Sequence, residues 1–282
     1  MTRDIRVGIA QWTPGHDPGI NLYTAESALR ELARRGCRLA VLPELWLCGY
    51  HTASLDADAR AAAEPIDGPV QQRVATVARD TGMVVCAGSF PELGNGQLFN
   101  TAVVYGPGGD PLLRHRKKYL YGIEPTVFIA GDEITVGDIA GLGRVGLCVC
   151  FDGDFPETAR ALRESGADIV LHPAAYEAAA ENWWDTIYPA QALCNGQWWI
   201  SANQHGGTRD DRMLGGSRII APDGRTVAAA PRHRTIVPDP ELLVVDIAVD
   251  AELAIASASS SVLWSVATNQ GTRFSKSPRG LA

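Results

Sequence analysis

Three places in this 282-residue chain stand where apolar strands end and carry side chains able to do chemistry. Glu44 follows Leu39-Ala40-Val41-Leu42-Pro43 and precedes Trp46, Leu47 and Tyr50. A carboxylate delivered from a buried strand into apolar surroundings has a raised pKa and suits a general base. Taken alone, the same fragment also describes a surface glutamate at a strand end. Lys117 and Lys118 follow Arg114-His115-Arg116. Such a basic cluster is either a solvated edge that discourages sheet pairing or a source of one inward ammonium facing a carboxylate or an oxyanion. Cys150 follows the run Val145-Gly146-Leu147-Cys148-Val149 and leads into Phe151-Asp152-Gly153-Asp154 and a helix beginning near Pro156. Strand, sharp turn and helix expose a thiol at a strand tip, near a helix N-terminus where the thiolate is favoured. The alternative is a buried structural cysteine.

Other chemistries have less support. The six histidines offer no local signature of the base of a Cys–His protease, and His172, before Pro173, either lines a site or is structural. Cys148 and Cys150 share one face of a strand, but no second Cys or His pair lies at zinc spacing, so no metal site is expected. Glycine-rich phosphate loops and a G-x-S-x-G elbow are absent.

The elements that must position these residues alternate. Strands are expected at Ile5–Trp12, Leu39–Leu42 and Met83–Ala87, with helices at Asn21–Arg35 and Pro69–Thr81, closed by Gly36 and Gly82. A hairpin from Thr101–Tyr105 to Leu112–Arg116 turns through Gly106-Pro107-Gly108-Gly109-Asp110. The second half repeats the rhythm: strand Val145–Phe151, helix Pro156–Ser165, strand Asp168–Leu171, helix Asn182–Asn195 and strand Trp198–Ala202. A hairpin of Gly216–Ala221 with Thr226–Ala230 follows, then a last strand, Leu242–Ile247. No Pro/Ser/Gly linker separates the halves, so one domain over 1–282 is expected. The Ser/Thr/Gly-rich tail from Ala256, with Val262-Leu263-Trp264, either lies loosely on the surface or docks on a partner subunit.

Composition narrows the class. The chain is 46% hydrophobic and 20% charged, which excludes a disordered, collagen-like or coiled-coil protein. Lys and Arg number 25 against 32 Asp and Glu, a net charge of −7 that makes nucleic acid a poor partner. No apolar run approaches a membrane span, and the N-terminus lacks a signal-peptide pattern. Six dispersed cysteines read as free thiols in a reducing compartment, so a cytoplasmic location is expected.

Together, Glu44, Lys117 and Cys150 resemble the catalytic set of the nitrilase superfamily of carbon–nitrogen hydrolases, amidase-like branch. Pro43-Glu44 with Gly49-Tyr50 is similar to the family's first motif. Arg116-Lys117-Lys118-Tyr119-Leu120 resembles its R-K-x-x-L segment and selects Lys117 over Lys118. Glu124, Phe128 and Gly131 match E-x-x-x-F-x-x-G, and Cys150-Phe151-Asp152-Gly153-Asp154-Phe155-Pro156-Glu157 matches C-[YF]-D-x-x-F-P-E. His172-Pro173-Ala174, Asn203 and Gly216–Gly224 continue the agreement in order. The resemblance covers most of the chain. It implies an α/β fold of the α+β type, a four-layer α-β-β-α sandwich of two mixed sheets, assembled as a homodimer or higher homo-oligomer.

It also implies a thiol-dependent hydrolase needing no metal or organic cofactor. Cys150 attacks a carboxamide and forms a thioester, Glu44 moves the protons, Lys117 with the Phe151 N–H meets the oxyanion, and Glu124 holds Lys117 or helps position the substrate. Phe151-Asp152 stands where nitrilases proper carry Trp-Glu, which favours an amide or carbamoyl group over a nitrile. Gln191-Ala192-Leu193-Cys194-Asn195 departs from the R-A-x-E-N of relatives. With no fused module expected in 282 residues, the substrate is a small linear carboxamide, with Tyr50, Phe151, His172, Tyr176 and Trp183 as pocket residues. Glu177 and Glu181 near the mouth would suit a cationic tail, although surface charge explains them equally. Alternatives are an N-carbamoyl amine or amino acid hydrolase, a nitrilase, an amide-forming acyltransferase and a non-catalytic binding subunit.

Overall fold

In the computed structural model the described residues are 3–207, 212–232, 235–237 and 239–259. The first half runs β1 (Asp4–Gln11), α1 (Pro18–Arg34), β2 (Leu39–Val41), α2 (Leu55–Ala62), α3 (Pro69–Thr81), β3 (Val84–Gly94), β4 (Gln97–Tyr105) and β5 (Pro111–Arg116). The second runs β6 (Thr135–Ile139), β7 (Gly143–Leu147), α4 (Pro156–Glu164), β8 (Ile169–Ala174), α5 (Glu181–Asn195) and β9 (Trp198–Asn203). Two short strands, β10 (His205–Gly206) and β11 (Met213–Leu214), precede β12 (Arg218–Ile220), β13 (Thr226–Ala229), β14 (Glu241–Ala248) and α6 (Val249–Ser259).

Two six-stranded mixed sheets result, ordered β14-β1-β2-β3-β4-β5 and β13-β12-β9-β8-β7-β6. Each has a parallel centre, β1-β2-β3 in one and β7-β8-β9 in the other, and antiparallel flanks. The central strands are buried on both faces, which is why they read as unbroken apolar runs. Leu39 and Val41 of β2 face the core shared with the second sheet, whereas Ala40 and Leu42 pack with α1 and α3. The order of layers is therefore helix, sheet, sheet, helix.

Local signals set the helices. Asp17 caps α1 by accepting from the Gly19 and Ile20 N–H groups, Pro18 opens it, and Leu22, Ala25, Leu29 and Leu32 bury one face. Gly82 and Gly196 end α3 and α5 in the left-handed conformation that glycine adopts without cost.

The structure corrects several expected boundaries. The strand expected at Val145–Phe151 stops at Leu147, and Cys150 begins a 3-10 turn to Asp154. The strand expected at Met83–Ala87 continues to Gly94. The expected surface tail begins inside α6, while Val262-Leu263-Trp264 lies outside the described residues. Among the described residues no helix is long and apolar enough to cross a membrane.

Candidate active site

Glu44 sits just past β2, where the chain must leave the sheet without exposing the carboxylate. A bulge in β3 makes the room: its pairing with β4 shifts between Cys86 and Ser89. The Ser89 N–H donates to Pro43 O at 3.3 Å, Ser89 Oγ accepts from the Leu45 N–H at 3.0 Å, and Trp46 Nε1 donates to Ala87 O at 2.6 Å. Gly88 has φ +66°, and a Cβ there would stand 2.0 Å from Pro43 O, so only glycine fits.

Lys117 follows β5 and is held by its own main chain, the N–H donating to Asn100 O at 2.8 Å and the carbonyl accepting from Gly131 at 2.8 Å. Its Nζ lies 2.8 Å from Glu44 Oε1 and 2.8 Å from Glu124 Oε1, and all three side chains are fully buried. Asn100 Nδ2 donates to Glu44 Oε1 at 2.8 Å. The second oxygens are satisfied by main-chain donors: Ala175 N–H to Glu44 Oε2 at 2.9 Å, and Tyr121 N–H to Glu124 Oε2 at 2.8 Å. Burial alone would strip the charge from Lys117, but Glu124 and Glu44 outweigh it and hold the ammonium well above its usual pKa. Glu124 moves up to about 7, mainly by burial, against the pull of Lys117 and with a push from Glu44.

Cys150 occupies the first position of its turn with φ +46°, a strained conformation for a residue bearing a Cβ. Asp152 fastens that turn. One carboxylate oxygen accepts from Val149 N–H at 3.0 Å and faces His115 Nε2 at 2.9 Å; the other accepts from Lys118 N–H at 3.0 Å and Tyr119 N–H at 2.8 Å. Burial pushes Asp152 up, yet the His115 contact and the main-chain donors together bring it below its ordinary pKa. The Cys150 turn and the segment carrying Lys117 are thus tied by one carboxylate. The Cys150 thiol stands well above its usual pKa, first through burial and then through Glu44, while Lys117 and the Ala175 N–H oppose the rise. A resting thiol beside a carboxylate, with an ammonium at hand, can lose its proton in step with attack on a carbonyl.

Cys150 opens onto a recess of about 300 Å³, including its mouth, lined by Tyr121, Phe151, Asp154, Tyr176, Glu177 and Trp183 among others. Of the expected pocket residues, Phe151, Tyr176 and Trp183 line it. Tyr50 is buried beside it, its hydroxyl 3.5 Å from Tyr121 O, within the electrostatic reach of Glu124 and Lys117. His172 does not line the recess. It is fully buried behind the turn, with Nε2 donating to Cys150 O at 2.9 Å and Nδ1 3.0 Å from Ser201 Oγ. Burial lowers its pKa to about 4, so the ring is neutral and supports the strained carbonyl.

Several contributors escape the sequence reading. Asn100 carries a signal, a polar residue inside the apolar strand β4; the Ala175 N–H carries none, because main-chain donors leave no mark in residue type. Asp154 lies within the matched motif at one of its variable positions. Among the described residues, His16, His51 and Asp58 form a trio able to hold a metal ion, with ligand atoms within 4.8 Å of one another, and none of the three lines the recess.

A two-sheet, four-layer sandwich that buries a Glu–Lys–Glu chain beside a cysteine at a strained turn defines the class: proteins of the nitrilase fold. The chain belongs to the carbon–nitrogen hydrolase family, whose profile matches residues 6–252. It is 33% identical over 228 residues to a nitrilase of Pyrococcus abyssi, covering 80% of this chain and 85% of the relative. It is 30% identical to an omega-amidase of Bos taurus, covering 77% and 81%. A solved amidase of Nesterenkonia sp. AN1 superposes with a TM-score of 0.78 at 30% identity, covering 92% of this chain and 99% of that one. A glutamate variant of that amidase carries the acetamide moiety of fluoroacetamide covalently on its active-site cysteine.

Proposed function

We propose that the protein hydrolyses a small linear carboxamide to the acid and ammonia through a thioester on Cys150. The observation that carries this reading is the buried Glu44–Lys117–Glu124 chain placed against a cysteine that opens onto a small recess. Glu44 takes the thiol proton as sulfur bonds to the amide carbon, and the carbonyl oxygen becomes an oxyanion facing the Lys117 ammonium and the Phe151 N–H. The C–N bond then breaks as Glu44 gives the proton to nitrogen, and ammonia leaves. Water, deprotonated by Glu44, attacks the thioester, and the C–S bond breaks to restore the thiol and release the acid. Glu124 acts on Lys117 and through it positions the ammonium.

Relatives support the same chemistry: a cysteine-to-alanine variant of the Nesterenkonia amidase is solved with butyramide. Phe151-Asp152 after the cysteine favours amide over nitrile. The test is ammonia release from short amides, N-carbamoyl amines and nitriles by the wild type and Cys150→Ala, with intact-mass analysis after fluoroacetamide treatment. Amide-dependent ammonia and a covalent adduct, both lost in the variant, are expected. Equal ammonia from the variant would end the reading.

A further inference from the structure

The recess that holds Cys150 is walled by four aromatic rings, Tyr121, Phe151, Tyr176 and Trp183, and by the carboxylates of Asp154 and Glu177; among the described residues no Lys or Arg lines it. Asp154 closes the same 3-10 turn that Cys150 opens, so a substrate whose amide lies on the thiol has this carboxylate along its path. Two hydroxyls set its position, Tyr176 donating to Oδ2 at 2.8 Å and Tyr188 to Oδ1 at 2.5 Å. Among the described residues these are its partners, and none is cationic. A carboxylate oxygen accepts more than one hydrogen bond, so both retain capacity toward the recess.

The chemistry of such a wall is specific. A half-buried anion fixed by two phenols, with ring faces around it, attracts an ammonium by charge and by cation–π contact. It repels a carboxylate at the same place, and a repulsive element counts as much for selectivity as an attractive one. The recess is small, about 300 Å³ with its mouth included, which limits the substrate to a short chain. Resting on the amide-hydrolysis reading, we infer that Asp154 is a specificity residue that receives a cationic ω-end, so that the substrate class is the short ω-amino carboxamide rather than its ω-carboxy counterpart.

Three amides of equal length test this, with an ω-ammonium, an ω-methyl or an ω-carboxylate end. Values of kcat/KM are compared in the wild type and Asp154→Asn, and binding of the same three to Cys150→Ala is measured by calorimetry. Wild type is expected to favour the ω-amino over the ω-carboxy amide by about 100-fold or more, with the neutral amide between them. Asp154→Asn is expected to shrink the ratio of ω-amino to neutral amide by about tenfold, a ratio taken on one preparation and so independent of the fraction folded. If Asp154→Asn does not fold, the wild-type ratios and the Cys150→Ala affinities decide alone. Equal or reversed selectivity overturns the assignment of Asp154 while leaving amide hydrolysis standing. Absence of turnover on all three amides, with the ω-amino preference intact in Cys150→Ala binding, would sink the hydrolysis reading and keep the cation site.

Discussion

The buried lysine carries the tightest constraint at the scale of single residues. Lys117 is fully buried, and its charge is held by two carboxylates that would repel each other without it. Truncating the lysine leaves both acids uncompensated, so Lys117→Met is expected to cost about 3–5 kcal/mol in urea unfolding besides abolishing turnover. Glu44→Gln removes the base and also one of the two charges that hold Lys117, and it sets an amide NH2 among donors, so kcat is expected to fall about 10³-fold and melting to fall with it. Glu124 gives a pH signature. With its pKa raised to about 7, it is protonated below that point and then shares less charge with Lys117. The kcat/KM profile should therefore rise through about pH 7, and Glu124→Gln should remove that limb while lowering the plateau. A limb that survives unchanged in Glu124→Gln would show that another group titrates.

Secondary-structure elements position these residues through two small devices, and neither is visible as a periodicity. The β3 bulge at Gly88 opens space for the loop bearing Glu44, and Gly88→Ala would drive a Cβ into Pro43 O. The expected result is a loss of about 2–3 kcal/mol together with a large fall in kcat, because the loop must move. Asp152→Ala would leave the N–H groups of Val149, Lys118 and Tyr119 without their acceptor, at about 1–3 kcal/mol each where no water replaces it. Chemical denaturation measures both; wild-type stability in either variant would refute the argument. The same two places mark where sequence reading fails. Val145–Phe151 reads as one strand because its residues are apolar and β-branched, yet the turn at Cys150 is imposed by tertiary bonds to Asp152 and His172. Thr135–Ile139 and Leu55–Ala62 go unread for a different reason: the first is a half-exposed edge strand broken by Gly137, and the second is a short helix whose buried face is Leu55, Ala59 and Ala62. The long helices α1, α3 and α5 were legible because a glycine closes each of them, and α1 adds the Asp17 cap and an apolar stripe.

For the whole molecule, the layering follows from runs such as Leu39–Leu42, apolar at every position and so buried on both faces, with helices opposite the shared core. The catalytic-type residues could be placed at strand ends, but their convergence depends on two sheets meeting, which spacing along one chain does not encode. That convergence makes global stability depend on a residue beneath the site. His172 is neutral in the fold, its pKa lowered to about 4 by burial, whereas in the unfolded chain it titrates at about 6.5. Between these values the unfolded state binds a proton that the native state does not, so stability rises with pH there and is lost as pH falls from about 6.5 to about 4. That difference corresponds to about 3 kcal/mol, a large share of the stability of an ordinary domain. His172→Gln keeps a donor for Cys150 O and cannot titrate. Unfolding free energies measured in urea from pH 7.5 to 4.5 should therefore fall more steeply for the wild type than for His172→Gln, the gap between the two curves closing by about 3 kcal/mol at the acid end. Parallel curves would mean that His172 takes up its proton at the same pH folded and unfolded, and so that the ring behind Cys150 is not held neutral by burial.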